Sequence, residues 1–73
     1  MDWSSGDVVH VVEFLKFELA RQEGHDSFTR AGHPRVVSVP RNRKSIPPGT
    51  VASIWRQAGT TAGEARKIRE GKG

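Results

Sequence analysis

The 73-residue sequence predicts an α+β domain in the order α-β-β-β-α(-α), its helices packed on one face of a three-stranded antiparallel sheet. Three observations carry this expectation. Apolar residues recur at helical spacing towards both ends of the chain, they alternate with polar residues in the middle, and glycine and proline mark each change of period. Residues 1–73 make one domain with a modest core, because a chain of about 60 residues buries only about 60% of its unfolded surface.

The first helix is read from Val8, Val11, Val12 and Leu15, which follow the i, i+3, i+4, i+7 stripe. Ser4 and Ser5 precede it, and Asp7 stands three residues after Ser4 in a capping-box arrangement. The valines also suit a strand, since β-branched residues are poor helix formers, but strict alternation fails through this stretch and helix is preferred. From Phe17 the period changes. Phe17, Leu19 and Arg21 alternate with Glu18, Ala20 and Gln22 as a half-buried strand, Glu23-Gly24 forms the turn, and His25 to Ala31 makes a second strand with Phe28 inward. Gly32-His33-Pro34 separates this from Arg35 to Val39, the clearest strand, which Pro40 ends. After a basic loop from Arg41, the Pro47-Pro48 pair leads into a helix over Val51, Ile54, Trp55 and Ala58, stopped by Gly59. Thr61, with Glu64 three residues on, caps a short last helix for which Ile68 is the main residue to bury, and residues 69–73 are expected to fray.

Charge narrows the partners. Residues 1–26 hold six acids and two bases, residues 27–63 hold six bases and no acid, and the final ten residues add four bases and two acids. A one-signed middle of this kind is the footprint of a polyanion binder, although a solvated basic face accounts for it equally well. With no cysteine there is no disulfide scaffold, thiolate zinc site or cysteine nucleophile. Apolar runs stay far below the about 20 residues that span a bilayer. The start, Met1-Asp2-Trp3-Ser4, lacks a basic segment leading into an apolar one, so the reading expects no membrane contact and a cytoplasmic location. No glycine-rich phosphate loop and no pair of histidines at helical ligand spacing is present, which argues against nucleotide or metal cofactors.

Three histidines remain for proton transfer, the role imidazole fills near neutral pH. His10 lies about 200° around the first helix from Val8, and His33 falls in a turn, so both are expected at the surface. His25 differs. It follows Gly24 and has opposite parity to the inward Phe28, which puts it on the open face of the sheet together with Ser27. From spacing alone a polar turn is the simpler account of these residues. Trp55 fits the core or a partner interface better than base stacking.

Phe17 to Phe28, then Val36-Val37-Ser38-Val39-Pro40, then Lys44 to Ile54 with its Pro-x-Gly-Thr segment, and finally Gln57-Ala58-Gly59 resemble the HicA family of toxin ribonucleases, over about Ser5 to Ala65. The combination of Val-Pro, Pro-x-Gly-Thr and Gln-Ala-Gly is more specific than any one block. The resemblance implies a double-stranded-RNA-binding-domain-like fold, cleavage of messenger RNA, and a HicB-type antitoxin as partner. It also implies one catalytic histidine in a Gly-Ser-His or Gly-Gly-His motif with an aromatic three residues later, which His25 and Phe28 match with Gly24 just before. Two departures stand out. Glu23 occupies the first motif glycine, where an acid beside the histidine repels RNA phosphate, and Lys16 replaces the glycine that usually precedes the first strand's phenylalanine.

The expected activity is that of a metal-independent endoribonuclease needing no cofactor. His25 is its general base, Gly24 and Ser27 support it, and Arg41, Arg43 and Lys44 hold phosphates. The alternatives are an RNA-binding module without chemistry, which predicts salt-sensitive binding and no cleavage, and an inactive relative whose main ligand is the antitoxin.

Overall fold

A computed structural model describes residues 2–71. The elements are α1 (Ser5–Phe14), β1 (Glu18–Gln22), β2 (His25–Thr29), β3 (Val37–Pro40), α2 (Pro48–Ala58) and α3 (Ala62–Arg69). The sheet is antiparallel in the order β1-β2-β3. Helices α1 and α2 pack on β3, and α3 packs on α1 and α2, which is the α+β arrangement the sequence predicts.

The valine-rich segment is helical because its stripe has a core to enter. Val8, Val11 and Val12 are fully buried, and burial outweighs their β propensity. Its start is fixed by the expected capping box: the Asp7 N–H donates to Ser4 Oγ at 3.1 Å, and the Ser4 N–H donates to Asp7 Oδ2 at 3.2 Å. Its end is a Schellman turn, in which the Phe17 N–H reaches Val12 O at 3.2 Å and the Lys16 N–H reaches Glu13 O at 2.9 Å. This turn puts Lys16 in the left-handed region at φ 74°. A side chain there is strained, which accounts for glycine at the corresponding place in the resembled family. Lys16→Gly is therefore expected to stabilise the domain by about 1 kcal/mol, read as a higher urea midpoint at unchanged m-value.

Strand β2 is central. Its Phe28 pairs with Val37 and its Asp26 with Val39, so these residues face the helices while His25, Ser27, Ser38 and Pro40 face away. β1 departs from the half-buried strand expected of it, since every residue from Glu18 to Gln22 is exposed and Leu19 retains 46% of its surface. The reason is position: β1 is an edge strand, and a bulge between Leu19 and Arg21 breaks its alternation. β2 ends at Thr29, two residues earlier than expected, because Arg30 turns back over the Phe17 ring at 4.6 Å and donates to Leu15 O at 2.8 Å.

His33 is also corrected. Expected in solvent, it is half-buried and joins three parts of the chain. Its Nε2–H donates to the Gln57 carbonyl at 2.7 Å, its Nδ1 accepts from Arg30 Nη2 at 3.4 Å, and its ring meets Phe17 edge-on at 5.0 Å. Trp55 is core at 3% exposure, with Trp3 packed edge-on at 5.0 Å and Arg69 over Trp3 at 4.1 Å, so its indole face is not open to a base. α3 buries Ala65 as well as Ile68, and Thr61 Oγ1 caps it by accepting from the Glu64 N–H at 3.2 Å. Arg69 closes α3, and a turn follows through Gly71; the fraying expected of Lys72 and Gly73 lies outside the described residues.

Candidate functional site

Gly24 takes φ 77° at the tip of the β1-β2 hairpin, where the Glu23 N–H donates to His25 O at 3.1 Å. A Cβ on Gly24 would meet nothing within 4 Å, so the glycine is required by backbone conformation and not by close packing. The hairpin delivers His25 to the end of β2 opposite Pro40, with its imidazole exposed and free of hydrogen-bond partners among the described residues. Past Pro40 the chain turns through Arg41 and Asn42, which takes φ 55°, and Arg43 returns beside the start of α1.

Between this corner and α2 lies an open groove of about 530 Å³. Gly24 and His25 line one end, Ser38 and Pro40 its strand side, Arg41 and Arg43 the loop side, and Thr50, Ser53 and Gln57 the helix side. No carboxylate lines it. Of the acids that flank it, Glu23 precedes Gly24 in the hairpin, and Asp26 points to the opposite face of β2 from His25, with its Oδ1 3.4 Å from Arg41 Nε. That contact is an ion pair without hydrogen-bond alignment, and Asp26 Oδ1 has no other partner. Gln57 ties the far wall together: its Oε1 accepts from the Ser38 N–H at 3.1 Å, along the edge of β3 that no strand covers.

The arrangement is an exposed imidazole, two guanidinium groups and several neutral hydrogen-bonding groups around a cavity open to solvent, which suits a phosphodiester chain. The family model for the HicA toxin of bacterial toxin-antitoxin systems matches residues 5–60. The chain belongs to the HicA toxin family. No curated protein matches it. Membership gives this HicA chain the role of a toxin and implies an antitoxin partner. Among the described residues no helix is long and apolar enough to cross a membrane, and no group of three or more His, Asp or Glu lies together as a metal site.

Of the residues singled out in the sequence, Gly24, His25, Arg41 and Arg43 meet in the groove of this HicA chain. Ser27 lies two residues along β2, opposite Ser38 and half-buried, and Lys44 is exposed on the same loop outside the groove lining. Sequence reasoning missed Ser38, Thr50, Ser53 and Gln57. Thr50 and Gln57 did carry a signal: they are the polar members of the Pro-x-Gly-Thr and Gln-Ala-Gly segments, for which neither helix periodicity nor capping gives a reason.

Proposed function

We propose that the chain is an endoribonuclease that cleaves messenger RNA by internal transfer at phosphorus. His25 takes the proton from a ribose 2′-hydroxyl as that oxygen attacks the adjacent phosphate. The bond from phosphorus to the 5′ oxygen breaks, and that oxygen leaves protonated from solvent, because His25 is the only imidazole in the groove. Arg41 and Arg43 hold the phosphate, whose oxygens gain charge during attack, and Lys44 holds a neighbouring one. Gly24 sets the hairpin that presents His25, and Ser27 shares its face of the sheet.

The observation that carries this reading is the convergence of His25, Arg41 and Arg43 in one groove lined by no carboxylate, in a chain of the HicA family. Incubation with end-labelled single-stranded RNA in excess EDTA tests it. The expected products end in a 2′,3′-cyclic phosphate and a 5′-hydroxyl. Binding that weakens with salt, with no fragments formed, replaces the ribonuclease with an RNA-binding module.

A further inference from the structure

The loop that carries Arg41 and Arg43 has no regular hydrogen bonding of its own, yet it is fixed from outside by one residue. In a four-residue turn the first carbonyl and fourth amide often bond each other directly. Here the Ser5 hydroxyl stands between them. It donates to Pro40 O at 2.6 Å and accepts from the Arg43 N–H at 2.9 Å. The Ser5 N–H, free because it opens a helix, donates to Arg43 O at 2.9 Å. One residue thus holds both ends of the turn and both polar groups of the Arg43 backbone. Ser4 supplies the side-chain cap of α1, so the Ser5 hydroxyl is available for this second task.

We infer that Ser5 is the positioning residue of the phosphate-binding loop: it wedges the Pro40–Arg43 turn open so that Arg41 and Arg43 line the groove beside His25. The role rests on the RNA reading above. Ser5 touches no reacting atom and acts through the two arginines alone. Its loss therefore weakens RNA binding and raises KM while the turnover of saturated enzyme is retained.

The test uses the full chain with Ser5→Ala, Ser5→Cys, Ser5→Thr and the Arg41→Ala/Arg43→Ala pair. Three quantities are measured: Arg43 amide exchange by NMR, the Kd for a 2′-O-methylated RNA oligonucleotide that cannot be cut, and kcat and KM on unmodified RNA. Ser5→Ala is expected to abolish Arg43 amide protection and raise Kd and KM about tenfold, the net worth of the hydrogen bonds that fix the turn. Ser5→Cys, similar in shape but a weak hydrogen bonder, gives the same loss should the alanine variant fail to fold, and Ser5→Thr restores binding. In the arginine-free background Ser5→Ala adds nothing, because the two act on one pathway. The inference is overturned if Arg43 stays protected in Ser5→Ala and Ser5→Cys, if affinity is unchanged once protection is lost, or if the same loss recurs without the arginines. RNA binding that is indifferent to the arginine pair instead removes the RNA reading and this role with it, while amide exchange still reports whether Ser5 holds the loop.

Discussion

His25→Ala is expected to abolish the proposed RNA cleavage and to leave RNA binding and thermal stability as they are in the wild type. The imidazole is exposed and has no hydrogen-bond partner among the described residues, so its removal opens no buried cavity and orphans no partner. What the variant lacks is the proposed base. General-base assistance is worth about 10²- to 10⁴-fold, and no second histidine is placed to substitute, since His10 lies on the exposed face of α1 and both ring nitrogens of His33 are engaged, one by the Gln57 carbonyl and one by Arg30. Single-turnover cleavage in EDTA and a binding curve on 2′-O-methylated RNA separate the two quantities. Equal cleavage by both proteins removes His25 from the chemistry. Equal loss of binding shows that it contributes contact and not proton transfer.

Phe28→Ala is expected to bring the domain to the margin of unfolding, with most of its stability lost. Phe28 is 1% exposed, sits in the central strand and faces Val37 beneath the helices. Truncating a buried phenylalanine costs about 3–5 kcal/mol, since the vacated space is only partly refilled. Native domains hold about 5–15 kcal/mol in all, and a chain this short belongs at the low end. Phe28→Leu keeps most of the volume and costs about 1.5 kcal/mol or less, so it folds. Denaturant titrations of the three proteins check both values. The pair also separates scaffold from chemistry: Phe28→Leu is expected to retain the proposed cleavage, because His25 lies on the other face of the strand that Phe28 anchors.

The elements that a repeating physical demand produces were legible in the sequence. Val8, Val11 and Val12 mark a helix by spacing, Ser4 and Asp7 mark its start, and Pro48 and Gly59 bracket α2. Alternation told which residues of a strand share a face, but it holds no information on which strand lies at an edge, and β1 therefore looked half-buried. The groove was half legible. Its charged members stand out in a stretch without acids, whereas Gln57 and Ser5 act through isolated hydrogen bonds to residues 19 and 35 or more positions away, and such bonds leave no periodic trace. His33 was misplaced for a related reason: it does follow a turn, and only the return of α2 beneath that turn buries it.

The bond from the Ser38 amide to the Gln57 side chain has a consequence for how the sheet can meet other chains. An exposed strand edge is a template on which a foreign strand can be laid down, and proteins that leave one bare risk recruiting further copies. At β3 the outward amide is already taken and α2 runs alongside, so that border is sealed. At β1 the border is open, but its bulge breaks the even ladder that strand addition requires. The sheet can thus extend only beside β1, across the sheet from α2, and a chain added there leaves the groove between β3 and α2 uncovered. To block the groove, a binder must instead reach between the Arg41–Arg43 turn and α2.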